Sequence, residues 1–128
     1  MKKIITSILC LSTMSIGISQ YTQIGADIDA EAFDDRFGYS VAVSSNGESF
    51  VAGAPQNDAG GGNAGHMRAF QLVGSSWVQK GADIDGLASN NNMGWSVDMS
   101  ADGNTIAGGE YGADDTKSNA SKVRVFEW

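Results

Sequence analysis

An all-β fold is what this sequence predicts, and three observations carry it. Seventeen glycines stand against a single proline in 128 residues, with few runs of Glu, Lys, Leu or Ala, a composition that suits short strands joined by tight turns. Tyr39, Val41 and Val43 alternate with Ser40, Ala42 and Ser44, the two-residue period of a strand. The chain also nearly repeats itself: "FGYSVAVSSNGESFVAGAP" from Phe37 to Pro55 returns as "MGWSVDMSADGNTIAGGEY" from Met93 to Tyr111.

The first nineteen residues stand apart from this pattern. "MKK" is a positive start, "IITSILCLSTMSIGI" is an apolar stretch, and Gly17 and Ser19 are small residues placed for cleavage before Gln20. Residues 1–19 are therefore expected to be a secretory signal peptide. The stretch is shorter than the roughly 20 residues a membrane span requires, so no span is expected in the mature chain. Cys10 lies inside the apolar stretch and follows Leu9, which does not suit a lipid-attachment site.

The mature chain would carry no cysteine, so packing alone must hold it. Without Lys2 and Lys3, 6 basic residues face 15 acidic ones, a formal charge of −9. Such a chain repels phosphate backbones and has no basic patch interleaved with aromatics, so nucleic acid is not an expected partner.

One offset, 56, organises residues 20–128. Gly25 and Gly81 both open "GADID"; Gly38 aligns with Gly94, Ser40 with Ser96, Asp58 with Asp114, Arg68 with Arg124 and Phe70 with Phe126. Two tandem copies, about 21–76 and 77–128, fill the mature chain, and a period of this size signals an array or a propeller.

Taken in order, the first copy predicts strands at 39–44 and 50–54 around the turn "SNG", at 67–73 after a glycine-rich loop, and at 77–84 past Gly74. The second predicts strands at 95–100, 105–109 and 122–128, and a lone outer-type strand is expected near 21–28. Four strands per repeat make a propeller blade. The predicted architecture is thus two four-stranded antiparallel blades of a β-propeller, incomplete as a single chain, because repeat arrays usually need three or more units.

Phe37 with Gly38, and Gly53 with Ala54 and Pro55, spell the signature of the FG-GAP repeat, and the chain resembles that family over residues 20–128. Its members include the β-propellers of integrin alpha subunits and many bacterial surface proteins. "WVQKGADIDG", "SVDMSADG" and "GHMRAF" are similar to the repeats of large secreted proteins from Bacteroidetes-like bacteria. Copy two keeps Gly94 but has Met93 for Phe and "GEY" for "GAP". The resemblance implies adhesion-type binding outside the cell or at its surface. Calcium-binding members carry an Asp-rich loop between the two signature elements, since a hard cation needs six to eight oxygens. This chain has only "SSNGES" and "SADGNT" there, so no cofactor is expected and any cation would have to sit elsewhere.

Antiparallel strand direction places residues 29–37, 55–65, 85–93 and 111–121 at one edge of the sheets and the short turns at 45–48, 73–76 and 101–104 at the other. Long polar loops on a rigid scaffold are the usual place for binding. The candidate ligand-binding residues are Asp34, Asp35, Asn57, Asp58, Asn63, Asn90, Asn91, Asn92, Asp114 and Asp115, with solvated turns as the plainer use of the same side chains. Tyr39, Trp95, Phe70, Phe126 and Trp128 are expected to fill space between blades, with a sugar-stacking platform as the alternative. His66, the one histidine, aligns with Lys122 and so stands outside any repeated chemistry. No GxSxG or HExxH arrangement is present, and catalysis is not expected.

The expected function is a secreted or cell-surface binding module with protein or glycan partners on the long-loop edge. The alternatives are a purely structural segment of a longer secreted protein and the scaffold of a polysaccharide-active enzyme. The missing blades come either from a longer chain or from identical chains sharing strands head to tail as a trimer or tetramer.

Overall fold

Short alternating stretches bounded by glycine turns become strands throughout the computed structural model. It describes residues 20–113 and 120–128; the expected signal peptide, Asp114 and Asp115 lie outside the described residues. The elements are β1 (Ser40–Val43), β2 (Ser49–Ala54), β3 (His66–Val73), β4 (Ser76–Gln79), β5 (Ile84–Asp85), β6 (Met93–Met99), β7 (Thr105–Glu110) and β8 (Lys122–Glu127), with no helix among the described residues. Each repeat is an antiparallel meander. The first sheet runs β1-β2-β3-β4 with β5 also on β3, and the second runs β6-β7-β8. The chain is all-β, in two antiparallel sheets.

The turn from β1 to β2 shows how sequence sets register. Ser44 Oγ donates to Asn46 Oδ1 at 2.8 Å and accepts from the Ser49 amide at 3.0 Å, while Gly47 takes a positive φ of 74° that a side chain would strain. The second copy repeats the device. Ser100 Oγ donates to Asp102 Oδ1 at 2.6 Å and accepts from the Thr105 amide at 2.9 Å. Ser44 is buried, so Ser44→Ala is expected to cost about 1 kcal/mol in urea unfolding, and Ser100→Ala less.

The two turns should separate in acid. The Ser100 hydroxyl and the Asn104 amide hold the Asp102 carboxyl below its ordinary 3.8. The turn's added stability is therefore complete above that value and is lost as pH falls through the lower folded value. Asn46 does not titrate. The effect of Ser100→Ala should shrink in acid while that of Ser44→Ala persists; equal behaviour of both would refute this account of the turns.

The sheets meet on the face that carries small residues. Val51, Met67 and Ala69 of the first sheet pack on Met93 and Ile106 of the second, flanked by Ala42, Ile84, Val97, Met99 and Phe126. Burying a side chain such as Val51 or Met67 fully is worth about 1.5–3 kcal/mol. Ser40 Oγ donates to the Gly94 carbonyl at 2.8 Å, and Gly53 lies against that same carbonyl with no room for a Cβ. The FG and GAP elements also touch each other, through the Gly38 amide donating to the Gly53 carbonyl at 3.0 Å.

Two expectations are corrected. Residues 21–28 form no strand, although they sit where an outer strand would. Arg68 donates to the Asp29 carbonyl at 2.8 Å, as Arg124 donates to the Asp85 carbonyl at 2.7 Å, and Trp77 Nε1 donates to the Ile24 carbonyl at 2.9 Å. A strand is defined by its ladder, and here no neighbouring strand pairs with the segment. The predicted strand 77–84 is likewise split into β4 and β5, because the "GADID" element turns out of the sheet at Gly81, φ 83°.

The aromatics divide differently from expectation. Phe70 is buried and Phe126 is half-buried against the core, but Tyr39, Trp95 and Trp128 are exposed. The closest approach of the sheets is taken by glycine and serine, which leaves no space there for rings. Tyr39 and Trp95 are instead carried at the loop-bearing edge.

Candidate functional site

The long-loop edge is a built surface. The Asn90 amide donates to the Gly62 carbonyl at 2.8 Å, Asn92 to Asn63 at 3.1 Å, Met93 to Ala64 at 2.9 Å and Gly112 to Asn91 at 3.1 Å. These bonds knit the loops of both repeats together, and Asn92 Nδ2 adds a bond to the Pro55 carbonyl at 3.0 Å. Backbone donors that would otherwise face inward unpaired are thereby satisfied.

Most predicted site residues take part in that bracing. Asn57 Nδ2 donates to Asp35 Oδ2 at 3.0 Å, both buried. Asn91 Nδ2 donates at 2.8 Å to Oε2 of the fully buried Glu110 side chain, where Lys122 Nζ lies at 3.4 Å, and Arg124 Nη1 donates to Oε1 at 3.0 Å. Asp58 Oδ1 accepts from the Asn63 amide at 2.7 Å. Asp34, Asn63, Asn90 and Asn92 all hold positive φ, which Asn and Asp tolerate better than other side chains. Asp34, Asp58 and Asn90 are exposed at this edge, whereas Asp35, Asn57 and Asn91 are not.

Three aromatic rings stand in a row at the same edge. Tyr39 and Trp95 have centroids 5.0 Å apart, and Trp95 stacks on Tyr111 at 4.9 Å and 23°. They remain 48%, 42% and 63% exposed. Tyr39 and Trp95 each follow a loop that fixes them, the Tyr39 amide donating to the Arg36 carbonyl at 3.0 Å and the Trp95 amide to the Asn92 carbonyl at 3.1 Å, while Tyr111 comes directly after β7 and its carbonyl accepts from Ser121 Oγ at 2.5 Å. A contiguous exposed aromatic row of this kind is uncommon on a surface without a partner.

A second constellation lies on the outer face of the first sheet. His66 opens β3 and pairs in register with Asp85 of β5. Its ring is fully buried with Phe37 edge-on at 6.4 Å, and neither nitrogen has a hydrogen-bond partner. Nδ1 lies 3.8 Å from Glu31 Oε2 and 3.9 Å from Asp85 Oδ1. Asp83 completes the group, with its Oδ1 fixed by a 2.6 Å bond from Gln79 Nε2. Burial first, then the Arg68 cation, pushes the imidazole below its ordinary 6.5, although Asp83, Glu31 and Asp85 pull the other way.

Sequence reasoning passed over this constellation. The repeat keeps neither His66 nor Glu31, since Lys122 stands at the position of the first and Leu87 at that of the second. Those departures from the repeat were the available signal, since side chains that serve the shared frame are the ones a repeat keeps. A cavity of about 210 Å³ between the sheets, lined by Ala69, Ile84, Ile106, Phe126 and Trp128, carries no comparable polar group. Its Lys80 is already engaged by the Gly103 carbonyl and Asn104 Oδ1.

Fold and site together define a class, an all-β two-repeat protein with one loop-bearing edge. No protein-family model matches the chain, and no curated protein matches it either.

Proposed function

We propose that the chain is a two-blade segment of a secreted or cell-surface β-propeller of the FG-GAP kind, and that it binds glycan or protein ligands on its long-loop edge. The observation that carries this reading is the exposed row Tyr39, Trp95 and Tyr111. Ring faces present a negative quadrupole to the C–H face of a sugar, and aromatics are the side chains most enriched in protein interfaces. Rigid backing by strand ends and interlocked loops lowers the entropy lost on binding.

Trp95→Ala and Tyr111→Ala are expected to reduce binding at least tenfold on a glycan array and a panel of extracellular-matrix proteins, with far-ultraviolet circular dichroism unchanged. Neutralising the edge with Asp34→Asn and Asp58→Asn tests the contribution of the loops while keeping their backbone geometry. Binding that survives all four substitutions would sink the placement.

A structural reading has an observation of its own. Ser96, Ala107, Gly109, Val123 and Val125 occupy the repeat positions of Ser40, Val51, Gly53, Met67 and Ala69, which meet the second sheet, yet Val123 and Val125 are exposed. At the other end a groove of about 350 Å³, lined by Ile24, Ile28, Phe37, Val41, Phe50 and Trp77, matches the face on which the second sheet receives the first. Head-to-tail stacking would cover both, whether by further blades or by another copy. Light scattering of residues 20–128 checks this: a folded trimer or tetramer supports strand-sharing copies, and a poorly folded monomer supports a longer chain. A stable, well-folded monomer would contradict both.

A further inference from the structure

We propose that Glu31, His66 and Asp83, with Asp85 beside them, form a binding site for a single divalent transition-metal cation of the zinc class. The ligand atoms of Glu31, His66 and Asp83 all lie within 4.8 Å of one another. Ligands at about 2.0–2.1 Å around a tetrahedral ion stand about 3.4 Å apart, so closure requires a shift of at most about 1.4 Å in the widest pair. Glu31 can supply it, being the one exposed member of the three and placed on the irregular segment before β1.

The buried histidine separates this site from an ordinary acidic surface cluster. A neutral imidazole in the interior normally uses one nitrogen as donor and the other as acceptor. His66 uses neither, and Asp85 Oδ1 beside it is also buried without a partner. Unpaired buried polar atoms are costly, and here His66 Nδ1 and Asp85 Oδ1 lie 3.9 Å apart with Glu31 Oε2 3.8 Å from the same nitrogen. A cation between them would take the Nδ1 lone pair and the carboxylate oxygens together. Asp85 then serves either as a fourth ligand or as the acceptor that orients the others.

Charge and donor type narrow the ion. The carboxylates of Glu31, Asp83 and Asp85 against the Arg68 guanidinium, 3.5 Å from Glu31, leave a formal charge of −2 around the ring. A mixed nitrogen and oxygen set suits zinc-like ions, whereas calcium and magnesium prefer oxygen alone. Copy two provides the internal comparison. Lys122 occupies the position of His66 and Leu87 that of Glu31, so the second copy does not repeat this donor set. In copy one, binding would fasten the ladderless segment that carries Glu31 to β3 and β5.

The test is calorimetric titration of the full chain with Zn²⁺ after chelator treatment, in a Cys10→Ser background so that the chain's one thiol does not compete. One Zn²⁺ per chain is expected, with micromolar or tighter affinity, a raised melting temperature, and no comparable response to Ca²⁺ or Mg²⁺. Asp83→Asn keeps the acceptor for Gln79 and is half-buried, so it should fold; it and His66→Gln should each weaken zinc binding at least tenfold. Native mass spectrometry reads the stoichiometry independently. The proposal is overturned if the parent takes up no zinc, if Asp83→Asn binds zinc as well as the parent does, or if Ca²⁺ binds as tightly as Zn²⁺.

Discussion

Gly53→Ala is expected to destabilise the chain by about 3 kcal/mol, or to prevent its folding, whereas Gly109→Ala at the equivalent position of the second repeat costs about 1 kcal/mol or less. Neither glycine holds a positive φ, so backbone freedom is not at issue. A Cβ on Gly53 would run into the Gly94 carbonyl of the opposite sheet, and that oxygen also accepts the Ser40 hydroxyl. Backbone cannot step aside without separating the sheets. A Cβ on Gly109 would clash with the Ser96 hydroxyl, which can rotate away, and would meet the Ser96 carbonyl at an ordinary 3.8 Å. Urea unfolding of the two variants reads the difference directly, and equal losses would show that the sheets do not approach one another in this way.

Arg124→Met should be the second large effect, at about 3 kcal/mol. It removes the bond to the Asp85 carbonyl and the bond to Glu110, whose side chain is fully buried and which, among the described residues, keeps Asn91 and the more distant Lys122. A buried carboxylate stripped of its nearest cation is costly, which Glu110→Gln in the same chain should partly relieve. Arg68→Met, the repeat equivalent, loses the Asp29 carbonyl and a 3.5 Å contact with a Glu31 that is 41% exposed. Solvent screens that carboxylate, so its loss should be near 1 kcal/mol. Comparable destabilisation by both substitutions, or no relief by Glu110→Gln, would refute the role given to Glu110.

The candidate loops were legible in the sequence as loops, because chain direction alone places 55–65 and 85–93 at one edge. What their side chains do was not. Asp35 and Asn57 lie 22 residues apart and are bonded only because the loops fold over each other. Asp34 beside Asp35 in sequence is exposed. The aromatic row depends in the same way on where β1, β6 and β7 begin and end.

Sequence by itself determined the repeat, the hairpin strands and their turns, since these rest on local periodicity, glycine placement and the recurring Ser44 and Ser100 devices; the outer segments 21–28 and 77–84 it did not, because their strand state depends on a pairing partner. Tertiary structure decided which face of each sheet is buried. Alternation puts Val41 and Val43 on one side of β1 and Ser40 and Ala42 on the other; the valines are exposed, and the small residues face the second sheet. Close approach at Gly53 and Gly94 rewards small side chains more than apolar ones at that contact, because packing responds to shape as well as to hydrophobicity. Pairing of β5 with β3, and the fastening of the segment before β1 to Arg68, draw Glu31, His66 and Asp83 together from three parts of the chain, a juxtaposition that no spacing along the sequence encodes.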